Sequence, residues 1–134
     1  MPYTHELEFK VRDYECDMQG VVNNGVYQNY LEHARHEYLL ARGIGFAQLT
    51  AAGIDLVVVR AELDYKKSLT SKDCFVVRSR LRQASRIRFE FKQEIYRLPD
   101  ASLMLSARIT GTSVNEKGRP YLPQELAALF SAEE

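Results

Sequence analysis

The sequence has no excess of either charge: its 134 residues carry 18 Lys plus Arg against 18 Asp plus Glu, a formal net charge of zero. With no global basic field to hold a phosphate backbone, nucleic acid is not an expected partner. Long apolar runs are missing too. Even Ile54 to Val59 contains Asp55 and stops at Arg60, short of the roughly 18 to 20 apolar residues of a membrane-spanning helix. Charged residues interrupt the apolar ones from Met1 to Arg12, so no secretory signal is read there and no membrane partner is expected. Cysteine is scarce. Without secretory signals, Cys16 and Cys74 are expected to be free thiols in a cytoplasmic protein. No repeat, low-complexity tract or linker divides the chain. One domain over residues 1–134 follows, its 46% hydrophobic content sufficient for a core without metal or disulfide.

What is present is ordered in a recognisable way. Leu7, Phe9 and Val11 alternate with Glu6, Glu8 and Lys10, which predicts a half-buried strand from His5 to Arg12. The alternation breaks from Asp13 to Asn23. Apolar or aromatic residues then recur with helical spacing at Tyr27, Tyr30, Leu31, Ala34, Tyr38 and Leu39, predicting a long helix from Asn24 to Arg42 with Gly43 as its stop. A short helical turn is expected from Phe46 to Ala52. Beta-branched and aromatic residues then dominate Ile54 to Ser68, Cys74 to Gln83, Arg86 to Arg97 and Ser102 to Val114, which read as four strands joined by short antiparallel connections. A turn at Asn115 to Gly118 and a helix from Leu122 to Phe130 complete the chain. The class is α+β, a sheet with one long helix on one face. Strands so rich in Val, Ile, Leu and Phe are expected to leave an apolar patch on the far face, and hence to assemble.

Tyr14 to Arg35 reads YECDMQGVVNNGVYQNYLEHAR and is the chemically informative stretch. Unpaired amides of a first helical turn carry partial positive charge, so those of Asn24 and Gly25 are candidates to bind a developing oxyanion. Gly25 has no side chain to obstruct them. Gly20 permits close backbone approach, and Asp17 sits where a carboxylate would attack a carbonyl or take a proton from water. The plainer reading makes Asp17 a turn residue and Asn23 the helix cap. Cys16 is a third candidate, with no histidine close in sequence to activate it.

The same stretch resembles the signature of the 4-hydroxybenzoyl-CoA thioesterase-like branch of the hotdog superfamily. Asp17, Gly20, Val22-Asn23, Tyr27 and Glu32-His33-Ala34-Arg35 hold its places. The resemblance implies a hotdog fold, an antiparallel sheet wrapped around one long central helix. It also implies a homodimer or homotetramer, and hydrolysis of an acyl-CoA near a subunit interface. Asp17 would be the catalytic carboxylate and the Asn24 amide the group that polarises the thioester carbonyl. No metal and no cofactor beyond the CoA of the substrate are implied. Val21 stands where many relatives have histidine, which throws the chemistry onto Asp17 and backbone amides.

CoA phosphates call for Lys or Arg. Candidates are Lys66, Lys67, Arg82, Arg86 and Arg88, with Ser85 and Arg86 at a hairpin preferred; Tyr27 is a candidate lining of the acyl pocket. Glu32 and Arg35 are expected to fix packing, and His33, His36 and Glu37 to form a solvated face. Two other functions fit the class. One is a non-catalytic acyl-CoA-binding module, the other a hotdog enoyl-CoA hydratase, for which Val22 offers no histidine five residues beyond Asp17.

Overall fold

The computed structural model describes residues 3–133, excluding the side chains of 131–133; Met1, Pro2 and Glu134, at the ends of the expected 1–134 span, lie outside the described residues. Strand β1 (His5–Lys10) leads through a 3-10 turn at Asp13–Glu15 into helix α1 (Asn24–Leu40) and the short α2 (Phe46–Ala51). Four long strands follow: β2 (Asp55–Tyr65), β3 (Cys74–Gln83), β4 (Arg88–Leu98) and β5 (Ser102–Val114). The two-residue β6 (Pro120–Tyr121) and helix α3 (Gln124–Glu133) close the order. The strands form one antiparallel sheet in the order β1-β3-β4-β5-β2, with β6 on β5. The sheet packs on α1 in the α+β hotdog arrangement. No helix among the described residues is long and apolar enough to cross a membrane.

Helix α1 forms where its apolar spacing predicts. It buries Tyr27, Tyr30, Leu31, Ala34, Tyr38 and Leu39, a stripe of i, i+3, i+4, i+7 character that faces the sheet. Tyr30 meets Phe75 with ring centroids 4.7 Å apart, and Tyr38 meets Phe91 edge-on at 5.3 Å. Helix α3 adds Leu126 and Phe130 to the same core. Removing Leu31, which is fully buried, to Ala would cost about 2–5 kcal/mol.

Three expectations need correction. The far face of the sheet is not apolar: Arg78, Arg80, Arg82, Glu90, Lys92 and Arg108 occupy the outward positions of β3, β4 and β5. Alternation sends most of the Val, Ile, Leu and Phe of those strands inward, Val76 and Leu98 sharing the outward parity instead, and Arg82 and Arg108 flank Glu90 outside at 2.8 and 3.6 Å. Exposed apolar side chains gather instead on edge strand β2, at Val57, Val58 and Val59. Second, β2 ends at Tyr65 rather than Ser68, because the amides of Lys66 and Lys67 both turn to the carbonyl of Met104. Third, β6 was not expected; two residues beginning with proline carry no alternation to read.

Candidate active site

The segment between β1 and α1 is a small folded-back loop. Its base is Glu15, 9% exposed, whose Oε1 accepts the Tyr30 hydroxyl and the Arg12 amide, each at 2.8 Å. Burial and then the Glu15 bond push the Tyr30 phenol well above its ordinary value, so it stays a donor. Above Glu15 the chain doubles back: Cys16 bridges Val22, Val21 bridges Thr70, and the Asp17 amide donates to Val21 O at 2.9 Å. Gly20 makes the reversal at φ +81°, a left-handed conformation open to glycine. Asp17 is exposed at this tip, where its Oδ1 accepts the Gln19 amide at 2.9 Å. The expected turn role of Asp17 is therefore real, and it leaves Oδ2 without a protein donor among the described residues. The Cys16 thiol is pushed upward in pKa by desolvation and then by Asp13, Asp17 and Glu15, so it is held from the nucleophilic thiolate.

The doubled-back loop delivers the chain straight into the start of α1. Asn23 is the N-cap, and its Oδ1 accepts the Gly25 amide at 3.0 Å. The second expected oxyanion donor is thus already engaged, whereas the Asn24 amide has no acceptor among the described residues. A Cβ on Gly25 would meet nothing nearer than Asn23 Oδ1 at 3.6 Å, so packing within the chain does not demand glycine there; what glycine leaves is open space over the helix end. The Asn24 carbonyl accepts the hydroxyl of Tyr65 at 3.3 Å. Tyr65 is 48% exposed and stands over the helix start as a residue that sequence reasoning missed. Its place at the end of the β2 alternation, two beyond Leu63, was the available signal.

The other expected contacts divide. Tyr27 does not line an open pocket: it is 2% exposed and its hydroxyl accepts the Leu69 amide at 2.9 Å. Burial is the main cause of its raised pKa, and its function is to tie residue 69 to the helix. Lys66 and Lys67 are exposed directly after Tyr65, beside the helix start. Ser85 and Arg86 are not brought there. They sit on the hairpin beyond Gln83, nine residues along β3 from Cys74, a distance of about 30 Å at about 3.4 Å per residue. Arg82 and Arg88 go to the outer sheet face and that same hairpin.

Arg35 does not pair closely with Glu32. Its guanidinium donates to Gln93 Oε1 at 3.1 Å, and burial lowers its pKa to about 10. Gln93 in turn donates to Leu31 O and Ser79 Oγ, so the expected packing role is a polar clamp between helix and sheet. His33 pairs with Glu37 at 3.9 Å and His36 with Glu32 at 3.8 Å along the helix surface.

Comparison with known proteins gives a consistent result. The sequence model of the Thioesterase-like superfamily matches residues 11–130. Acyl-acyl carrier protein thioesterase ATL2, chloroplastic, of Arabidopsis thaliana is 40% identical over 127 residues, 94% of this chain and 68% of that protein. Long-chain acyl-CoA thioesterase FadM of Escherichia coli is 29% identical over 120 residues, 90% of each. Among solved structures, Slr0204 of Synechocystis, a 1,4-dihydroxy-2-naphthoyl-CoA thioesterase, superposes with a TM-score of 0.89 at 22% identity over 94% of both chains, a likeness of fold.

Proposed function

The chain belongs to the thioesterase-like superfamily, and on that premise we propose that it hydrolyses acyl thioesters at Asp17 and the first turn of α1. The observation that carries the reading is the pairing of an exposed carboxylate on the doubled-back loop with an unengaged amide, that of Asn24, at the start of a 17-residue helix. The thioester carbonyl oxygen would lie on the Asn24 amide, where the helix terminus favours negative charge. Asp17 then acts in one of two ways. Its oxygen attacks the carbonyl carbon, expelling the thiolate and leaving a mixed anhydride that water cleaves, or it takes a proton from the water that attacks. Either route yields a carboxylic acid and a thiol.

The thiol carrier we assign is CoA, with Lys66 and Lys67 beside Tyr65 as the cations for its phosphates. The likeness to ATL2 supports a second carrier, an acyl carrier protein thioester. A homodimer is part of the same reading. Strand β2 is an edge strand with Val57, Val58 and Val59 exposed, and an unpaired apolar edge favours pairing with a second copy. Two-fold pairing along β2 would turn the partner's Ser85 and Arg86 hairpin toward the Tyr65 end, which neither residue reaches within one chain. A hydratase is disfavoured because Val22, where a second titratable group would stand, is apolar and 2% exposed.

The test is release of free thiol from acyl-CoA and acyl carrier protein thioesters by wild type and Asp17→Asn. Asparagine keeps an oxygen for the Gln19 amide, so the loop persists while the carboxylate is lost. The expected result is a fall in kcat of about 10²-fold or more, the scale of a removed general base or nucleophile, at unchanged melting temperature. Full activity in Asp17→Asn would remove Asp17 from the reaction, and turnover of no thioester would leave a binding module. Single turnover in isotopically labelled water separates the routes, since label enters the Asp17 carboxylate only by the anhydride.

A further inference from the structure

On the face of the sheet turned away from α1, three cations stand directly opposite one another. Arg80 of β3 faces Lys92 of β4, and Lys92 faces Arg108 of β5. Gln93, next to Lys92 in the chain, turns inward and donates to the Leu31 carbonyl of α1, so Lys92 points outward, with the sheet between it and the helix. The neighbouring positions do not repeat the pattern. Two residues back along β3, Glu6, Arg78 and Glu94 alternate in sign across β1, β3 and β4, and two residues onward Arg82 faces Glu90. Like charges directly opposite one another destabilise a sheet. Edge protection does not account for them, because β3, β4 and β5 are interior strands of the order β1-β3-β4-β5-β2.

Together with Arg82 and Glu90, these three cations line a depression of about 200 Å³. Glu90 is buried, and its carboxylate is already taken from both sides, Oε1 by Arg82 Nε at 2.8 Å and Oε2 by Arg108 Nε at 3.6 Å. Arg80 and Lys92 make no ion pair or side-chain hydrogen bond among the described residues. The carboxylates at the border are engaged elsewhere, Glu94 by the hydroxyls of Tyr3 and Tyr96 and Glu62 by Arg60 at 2.7 Å. Asp64 lies further along β2, opposite Ser106. The depression thus sets four cations against one carboxylate, and the two cations without a partner are neighbours.

We propose that this depression binds a phosphate-class anion of the diphosphate type, at a site separate from the one where a thioester would react. Adjacent strands lie about 4.8 Å apart, so the backbones of Arg80, Lys92 and Arg108 span about 10 Å. With each oxygen about 2.8 Å from a cationic nitrogen, one phosphoryl group fits between two neighbouring cations, and two joined groups occupy the whole row. The planar forks of Arg80 and Arg82 suit phosphoryl oxygens taken in pairs. A monocarboxylate neutralises one of the cations; a diphosphate relieves the repulsion across all three strands. The proposal is independent of the thioester reading and uses none of the residues assigned to that reaction.

The experiment titrates inorganic diphosphate, and separately adenosine diphosphate, into wild type, Lys92→Gln, Arg80→Gln and a control, Lys117→Gln, on the turn at Asn115 to Gly118. Binding is followed by titration calorimetry and Tm by scanning calorimetry. Wild type is expected to bind saturably, less tightly as salt is added, and to gain Tm with the ligand. Lys92→Gln and Arg80→Gln each weaken binding about tenfold or more, and the control leaves it unchanged. Without ligand, Lys92→Gln melts about 1–3 °C higher than wild type, because the middle of three like charges is gone. Saturating diphosphate narrows or reverses that difference. Equal or weaker binding of adenosine diphosphate assigns the site to the free anion, and tighter binding assigns it to the diphosphate of a nucleotide. No saturable binding by wild type, or the same affinity in Lys92→Gln as in the control, overturns the proposal and leaves the row as solvated charge.

Discussion

The Tyr30 hydroxyl on α1 donates to Glu15 Oε1 at 2.8 Å, across fifteen residues of sequence. Through it a buried carboxylate fixes the base of the loop that displays Asp17, because Glu15 also accepts the Arg12 amide and its own carbonyl accepts the Asn23 amide at 3.0 Å. The loop is held to the very helix whose first turn it serves.

Tyr30→Phe keeps the ring packing and removes only that donor. With Glu15 left short of one hydrogen bond, stability falls by about 1–3 kcal/mol. The expected signature is a lowered urea midpoint with an unchanged slope, together with a fall in kcat larger than any change in KM. Retention of both the wild-type midpoint and kcat would count against the anchoring role.

Tyr27 makes the complementary tie on the next segment, its hydroxyl accepting the Leu69 amide at 2.9 Å. Tyr27→Phe orphans a buried N–H and is expected to cost about 1–3 kcal/mol. Hydrogen exchange gives the local readout: the Leu69 amide should lose protection first and most. If that amide exchanges as in wild type, Tyr27 is packing alone.

Gly111 is a steric prediction. An added methyl overlaps Phe89 Cζ at 2.5 Å and Val57 O at 2.8 Å, and backbone does not yield as a flexible side chain does. Overpacking of this kind costs about 1–3 kcal/mol. Gly111→Ala should therefore melt earlier, and Gly111→Ala with Phe89→Leu should recover part of the loss. No recovery would place the clash at Val57 rather than at the ring.

Stability should depend on pH through two histidines. Burial and then Arg42 depress His5 below its ordinary 6.5, and burial is likewise the main cause for His36, partly opposed by Glu32. The unfolded chain thus binds more protons than the folded one just below that value. Stability from these groups is complete above about pH 6.5 and is lost as pH falls through their lower folded values. Urea midpoints at about pH 7.5 and about pH 5.5 test this, the lower pH giving the lower midpoint in wild type. A His5→Phe/His36→Phe variant should flatten the difference; an undiminished slope would assign it to carboxylates.

Much of this was legible in the sequence, for identifiable reasons. The Tyr27, Tyr30, Leu31, Ala34 and Tyr38 spacing placed α1 because helical period and burial coincide along it. Alternation placed β3, β4 and β5 because each has one face inside and one in water. Strand β2 alternates less cleanly, being an edge with a bulge between Val58 and Arg60, and its end was placed three residues late.

The candidate site was legible only where its chemistry is local. Asp17, Gly20 and the cap at Asn23 act on neighbours two or three residues away, so their order in the sequence already fixes the doubled-back loop and the helix start. Tertiary structure alone decided that Tyr65 stands over Asn24 and that Tyr27 is spent on Leu69. It also separated Ser85 and Arg86 from Asp17 by the length of a strand. Local hydrogen bonds and periodicity are written in short spacings; contacts across dozens of residues depend on how the sheet closes on the helix, which no short spacing records.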